Sequence, residues 1–344
     1  MRASATASAP GRLCLAGESL DWMIGGSSVV TTVPLRTRVT AWKVDGSDML
    51  SLVTGTPLFS TSLVSAEAVA EGKYGGPLDH MQAAARVVLQ TPARIAGTVL
   101  SATTDLPVAA GLSSSAALTV AAVTALMRLD GEHPATLEVT RLAREAETHE
   151  LRTGAGWMDF LACTYGGVNR VNAAEPSVAP IAPTLGIPVV IIDTNQHRTT
   201  TQVLASKRDR FASGDARMHA YARQASALVD ALTDALESSI VDFGHVGSLI
   251  NTGHALLRDL VGCSTPLIDE CAQRALTAGA LGAKLSGSGY GGALFALVPD
   301  DALPSVINAM SSLPVHVLVL PTTEPQGVAV RSTSAPVTTP TTIP

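Results

Sequence analysis

Pro107-Val-Ala-Ala-Gly-Leu-Ser-Ser-Ser-Ala-Ala-Leu118 joins a strand-like run, Ile95 to Ala102, to an apolar stretch, Ala116 to Leu129, that reads as a helix. Gly111 allows a tight or left-handed backbone. The three serines after it are small and leave main-chain N–H groups open. The helix that begins there has no internal partner for its first N–H groups. Such a terminus carries partial positive charge and suits an anion, phosphate above all. The serine hydroxyls can also reach a metal or a phosphate oxygen. The segment is not a Walker P-loop, because it lacks G-x-x-x-x-G-K-[ST] and has no lysine in the turn. The neutralising charge must come from elsewhere, which points to magnesium. Taken alone, Ser-Ser-Ser before a helix reads as a plain N-cap, and the remaining segments change that reading.

The 344 residues carry a formal charge of −6, with 15% charged and 46% hydrophobic side chains. This describes a compact protein with room for two domains, not a disordered chain. The acidic balance and the lack of a Lys/Arg cluster speak against a nucleic-acid partner. The densest basic run, Lys207-Arg208-Asp209-Arg210, includes its own acid and reads as a solvated helix face. Cys14, Cys163, Cys263 and Cys271 show no metal or redox spacing and read as reduced core thiols of a cytoplasmic protein. No secretory signal and no membrane span of ~18 apolar residues is visible.

Around the turn, residues 11–42 are strand-like, a Gly/Ser/Thr-rich region runs to about Thr56, and residues 57–71 are ambiguous. Helices are predicted at 79–89 and 136–152, the latter with Thr136 as a candidate cap. Pro176, Pro180, Pro183 and Pro188 interrupt regular structure, and the domain boundary is set there. Beyond it the pattern predicts a strand at 189–193 and helices at about 200–212, 216–237, 239–260 and 266–279. A glycine turn at 286–292, a strand at 293–298, a helix at 301–311 and a strand at 315–320 follow. The expected division is 1–176, 177–321 and a disordered Pro/Thr-rich tail at 322–344.

Three segments in order resemble the signature motifs of the GHMP kinase superfamily. They are Ala9-Pro-Gly-Arg-Leu-Cys-Leu-Ala-Gly-Glu-Ser-Leu-Asp21, the glycine-serine turn above, and Ala283-Lys-Leu-Ser-Gly-Ser-Gly-Tyr-Gly-Gly292. The resemblance implies an α+β chain of two-layer α/β type. Its N-terminal ATP-binding domain would be like ribosomal protein S5 domain 2 and its C-terminal domain ferredoxin-like, with the active site between them. It implies an ATP- and Mg²⁺-dependent kinase that acts on a small-molecule hydroxyl, as a monomer or homodimer.

Phosphoryl transfer needs a neutralised phosphate, an in-line hydroxyl and help with its proton. The motif match assigns ATP phosphates to Pro107, Ala109, Ala110, Gly111, Leu112, Ser113, Ser114, Ser115 and Ala116. Glu147 and Ser115, with Ser114 as the substitute, are the implied Mg²⁺ ligands, hard oxygen donors that suit the ion. Glu145 and Glu150 are chemically equivalent neighbours of Glu147. Gly154-Ala-Gly-Trp-Met-Asp-Phe160 resembles the galactokinase G-I-M-D segment and makes Asp159 the implied catalytic base. Arg12 would hold that carboxylate ionised and stabilise a developing alkoxide. Glu18, Ser19, Asp21, Asp159 and Gly289 are the implied acceptor-binding residues. Trp22 and Trp157 offer faces for a sugar or pack as core aromatics. Tyr290 replaces a usual glycine, and Lys284 reads as structural.

Arg12, Asp21 and Ile191-Ile-Asp-Thr-Asn-Gln-His-Arg198 resemble the sugar-kinase branch, which implies transfer to a sugar, with the anomeric hydroxyl foremost. Gly262-Cys-Ser-Thr-Pro-Leu-Ile-Asp269 and Gly279-Ala-Leu-Gly-Ala-Lys284 look as much like mevalonate or heptose kinases. A mevalonate-type alcohol kinase and a non-catalytic ATP/sugar sensor are the alternatives. A sensor would be free to lose Asp159, Glu147 and Arg12, all of which are present.

Overall fold

In a computed structural model of the protein, the described residues are 4–55, 59–107, 110–196, 200–320, 322 and 326–331. The first half of the chain folds as β1 (Ser4–Ala16), α1 (Leu20–Ile24), β2 (Ser27–Lys43), β3 (Met49–Thr54), β4 (Ser60–Ser65), α2 (Ala66–Ala70), α3 (Asp79–Leu89), α4 (Pro92–Ile95) and β5 (Thr98–Thr104). It continues through α5 (Ser114–Leu129), α6 (Thr136–Glu145), a π-helical turn (Ala146–Glu150), α7 (Met158–Tyr165), β6 (Val168–Asn172) and β7 (Ser177–Ala182). Thr136 opens α6 without capping it. The N-cap is Ala135, and the end makes no side-chain hydrogen bond.

With β12 (Ala329–Arg331) from the end of the chain, these strands form a sheet of order β12-β1-β2-β5-β3-β4, with β6 on β2 and β7 on β6. The long β2 hands over its partner midway. Its start pairs with β6 and its end with β5. Opposite this change, the β1–β2 register shifts between Pro10 and Arg12. Such a bulge re-aims a side chain, and here the residue that follows it is Arg12. The alanine-rich α5 packs on β1 and β2. Its small buried faces, among them Ala117, Ala121 and Ala125, allow a close approach to the sheet.

The second half contains β8 (Val189–Asp193), α8 (Thr200–Ala212), α9 (Ala216–Glu237), α10 (Phe243–Leu256), a π-helical turn (Leu257–Val261) and α11 (Pro266–Thr277). It closes with β9 (Gly282–Leu285), β10 (Ala293–Leu297), α12 (Leu303–Met310), β11 (His316–Leu320) and β12 (Ala329–Arg331). β11-β8-β10-β9 form an antiparallel sheet. In the unit's own strand numbering the order is 4-1-3-2, which is ferredoxin-like.

Two boundaries differ from expectation. The change of sheet falls between Ala182 and Val189, not at 176/177, because β7 belongs to the first sheet. β7 tolerates Pro180 because it is an edge strand paired with β6 alone. Part of the expected structureless tail is ordered. Ala329–Arg331 pair antiparallel with Thr6–Ser8 of β1, and Arg36 donates to the carbonyls of Gln326 and Gly327. The Pro/Thr composition hid a strand that completes a sheet edge built at the other end of the sequence. All four cysteines are free and buried. No helix among the described residues is long and apolar enough to cross a membrane.

Candidate active site

The three motif segments meet at one carbonyl. Arg12 Nη1 donates to Gly111 O at 2.7 Å, and Ser286 Oγ donates to the same oxygen at 3.0 Å. Arg12 N–H donates to Leu112 O, and Ala293 N–H to Ala110 O. A Cβ on Gly287 would sit 3.1 Å from Gly111 Cα, so the first and third segments clasp the turn from both sides. The turn ends at Ser113, whose φ of 60° and ψ of 42° are left-handed. That conformation is costly for a residue with a Cβ and marks a functional constraint. Its Oγ is buried without a hydrogen-bond partner. α5 starts at Ser114 with no side chain capping it.

Asp159, near the N-terminus of α7, accepts a hydrogen bond on Oδ1 from Arg12 Nε at 2.7 Å, and Arg12 Nη2 lies 2.7 Å from the same oxygen in the ion pair. Arg12 is 4% exposed and Asp159 31%. Burial lowers the Arg12 pKa, but the Asp159 carboxylate outweighs it, so the guanidinium titrates above its ordinary value. Glu147 sits on the π-helical turn, buried, and accepts from Thr119 Oγ1 at 3.1 Å. Burial raises its pKa, opposed by the charge of His80 and the Thr119 hydrogen bond. Glu150, one of its chemical equivalents in the sequence, is instead taken by Tyr74 and Arg86.

A cleft of about 310 Å³ unites these groups. It is lined by Arg12, Gly111, Ser113, Ser114, Ser115, Ala116, Glu147 and Asp159, together with Glu18, Ser19, Asp21 and Trp22. Several expected residues lie elsewhere. Ala110 and Leu112 are core residues and Pro107 is outside the lining, so they shape the turn without facing the cleft. Ala109 lies outside the described residues. Gly289 is not among the residues that line the cleft. A Cβ there would meet Cys263 O at 2.5 Å, and its role is close backbone packing. Gly287 and Ser288 are the third-motif residues that reach the cleft.

The two carboxylates expected at the acceptor, Glu18 and Asp21, each hold a structural partner. Glu18 forms a buried ion pair with Lys284, whose Nζ also donates to Cys14 O at 2.9 Å and Leu285 O at 3.1 Å. Burial pushes the Lys284 ammonium down. The structural reading of Lys284 matches this bonding, and Glu18 is drawn into it. Asp21 accepts from Met158 N–H at 3.2 Å and Trp22 N–H at 2.9 Å. Met158 opens α7, so Asp21 caps from a distance the helix that carries Asp159. Burial raises the Asp21 pKa, and the neighbouring Asp159 charge adds to it.

Sequence reasoning missed His80, Thr119, Gly156 and Leu204. Of these, only Gly156, inside Gly154-Ala-Gly156, carried a sequence signal. The solvated-face reading of residues 207–210 fails. Lys207 is 1% exposed and donates to Ser288 O, and Arg208 stacks over Trp22 at 4.8 Å. α8 packs at the cleft through Leu204, which internal charge balance could not reveal.

A two-domain fold with a phosphate-type helix terminus facing a half-buried Arg–Asp pair fits a small-molecule phosphotransferase. The chain belongs to the GHMP kinase family: residues 78–167 match the GHMP kinases N terminal domain and residues 219–316 the GHMP kinases C terminal region. It is 29% identical over 306 residues to a mevalonate kinase of Pyrococcus abyssi, covering 85% of this chain and 88% of that one. It is 27% identical over 345 residues to a galactokinase of Mycobacterium bovis, covering 88% and 91%. The structure of Lactococcus lactis galactokinase complexed with galactose superposes with a TM-score of 0.81 at 21% identity, over 95% of both chains. The protein is accordingly a kinase with an alcohol-group acceptor and ATP as donor.

Proposed function

We propose that this kinase transfers the γ-phosphate of ATP, bound with Mg²⁺, to a sugar hydroxyl, the anomeric 1-OH of a hexose or higher sugar. The observation that carries the reading is the Arg12–Asp159 pair, anchored on the Gly111 carbonyl beside the start of α5. Both guanidinium contacts fall on Asp159 Oδ1, which leaves Oδ2 to take the acceptor proton. Arg12 orients the carboxylate and stabilises the alkoxide that develops. The N–H groups at the head of α5 and the unpartnered Ser113 hydroxyl bind phosphate oxygens.

The donor set fits magnesium. Glu147 and the Ser115 or Ser114 hydroxyl are hard oxygen ligands. Among the described residues no group of three or more His, Cys, Asp or Glu side chains could hold a metal, and the ion would be shared with the nucleotide phosphates. When bound, it supplies charge neutralisation at those phosphates. The likeness of Arg12 and Asp21 to sugar kinases, and a Trp22 face in the cleft, support a sugar acceptor. A mevalonate-type alcohol is the second reading, favoured by the archaeal relative. Action in the cytoplasm, as a monomer or homodimer and without nucleic acid, belongs to the same proposal.

The test is ADP release from Mg-ATP with a panel of sugars, sugar phosphates and mevalonate, for the wild type and Asp159→Asn. The variant should keep nucleotide binding and lose about 10²–10⁴-fold in turnover. Near-normal turnover would remove Asp159 as the base.

A further inference from the structure

Glu147 does not sit on a regular α-helix. It lies on the π-helical turn Ala146–Glu150, closed by the 3.3 Å bond from Leu151 N–H to Ala146 O. Such turns are rare and wider than an α-turn, and they recur at functional sites. On an α-helix, residues three apart are neighbours on one face. Here Glu147 and Glu150, three apart, serve different partners. Glu147 is buried, lines the cleft and accepts from Thr119 of α5. Glu150 turns to α3 and the segment before it. Tyr74 Oη donates to Glu150 Oε2 at 2.6 Å, and Arg86 Nη1 donates to the same oxygen.

Both partners are themselves fixed. Arg86 belongs to α3, and its Nε donates at 3.2 Å to Ala70 O, at the end of α2. A Cβ on Gly72 would meet Arg86 Nη1 at 2.4 Å, so the left-handed bend at Gly72 closes on the guanidinium. Gln82 of α3 donates to Lys73 O at 2.7 Å and holds the segment that presents Tyr74. α3 therefore meets the π-helical turn at two points. Near its start, His80 Nε2 lies 3.9 Å from Glu147 Oε2. Six residues on, Arg86 grips Glu150. Without that grip the turn can tighten toward α-helical spacing, which rotates the Glu147 carboxylate about the helix axis and away from its place in the cleft.

We propose that Glu150, gripped by Tyr74 and Arg86, is a positioning residue: it holds the π-helical turn in the form that aims Glu147 into the cleft, and so sets how much a divalent cation adds to nucleotide affinity. The inference rests on the kinase reading above, in which Glu147 is a Mg²⁺ ligand. It assigns a role in that site to three side chains that do not line the cleft.

The affinity of a non-hydrolysable ATP analogue, measured calorimetrically with saturating Mg²⁺ and with EDTA, tests this. The ratio of the two dissociation constants reads what the cation adds. Glu147→Gln should cut the ratio more than about tenfold and Glu150→Ala about tenfold, with affinity in EDTA unchanged in both. Tyr74→Phe removes one hydroxyl and keeps the ion pair, so it should cut the ratio about threefold. It decides the matter if Glu150→Ala does not fold. Adding Glu150→Ala to Glu147→Gln should lower the ratio no further. A merely structural Glu150 would lower the melting temperature and leave the ratio at the wild-type value, which overturns the inference. Additive losses in the double variant overturn it too. If Glu147→Gln itself leaves the ratio unchanged, the reading of Glu147 as a metal ligand fails and the inference falls with it. If only the Glu150 and Tyr74 variants leave it unchanged, that reading stands and the positioning role alone is excluded.

Discussion

Replacing Gly156 by alanine should cripple the enzyme through a carboxylate the new methyl group would strike. A Cβ at Gly156 would lie 1.7 Å from Asp21 Oδ2, 2.2 Å from its Cγ and 2.8 Å from its Oδ1. Restoring van der Waals separation requires a retreat of roughly 1.5–2 Å. The backbone at Gly156 is not left-handed, so the effect is steric and not conformational. The retreat breaks the bond from Met158 N–H to Asp21 Oδ2, 3.2 Å long, and uncaps α7. Loss of a cap costs about 0.5–2 kcal/mol. Asp159 is the second residue of α7, and a shift of about 1 Å in a reacting group costs on the order of 100-fold in rate. We expect Gly156→Ala to lower kcat/KM about 100-fold and to reduce the melting temperature. ADP-coupled kinetics and thermal unfolding measure the two. Gly76→Ala, whose Cβ would meet Asp79 at 3.5 Å, is the neutral control. Asp21→Ala removes the obstacle, so the double variant should be no worse than Asp21→Ala alone. Wild-type kinetics in Gly156→Ala, or additive losses in the double variant, would refute the steric account.

Glu147→Gln should weaken the apparent affinity for Mg²⁺ by more than about tenfold, read from activity against metal concentration. The same change should raise the melting temperature of the ligand-free protein, because a buried charge is replaced by a neutral isostere. Lys284→Met leaves Glu18 charged and buried, and should cost about 3–5 kcal/mol in denaturant unfolding. Adding Glu18→Gln should recover much of that loss. His254 is buried, accepts Leu285 N–H on Nδ1, and has its pKa lowered from 6.5 chiefly by burial, against the pull of Asp269. Below pH 6.5 the unfolded chain therefore binds a proton that the fold resists, and stability falls as pH falls. A His254→Asn variant should show a flatter acid limb in urea unfolding between pH 7 and 5, and an unchanged limb would exclude His254 as its source.

The glycine-serine turn was legible because its chemistry is local: a left-handed bend and the first residues of an apolar helix. β8 and most helices of the second half were legible for the same reason, through periodicity and length. The α10 start at Phe243 came later than expected because Asp242 caps it through Gly244 and His245. β3 was hidden in a Gly/Ser/Thr-rich region, where Leu50 and Leu52 alone mark its buried face. The features that escaped all depend on distant partners. Glu18 meets Lys284 266 residues away, and Asp21 caps a helix 137 residues on. Lys207 is buried against Ser288, 81 residues ahead. Each side chain looked in the sequence like an available carboxylate or a solvated cation, and only packing assigned its partner.

The return of Ala329–Arg331 to β1 means that the ferredoxin-like unit is an insertion and not an appendage. The backbone leaves the first sheet after β7 and re-enters it at β12, so the unit hangs from two straps. A lobe on one strap can swivel, whereas two straps oppose rotation about the line between domains and leave a jaw-like opening as the softer motion. Truncation before residue 326 would remove the second connection together with β12, leaving β1 as the edge of the first sheet.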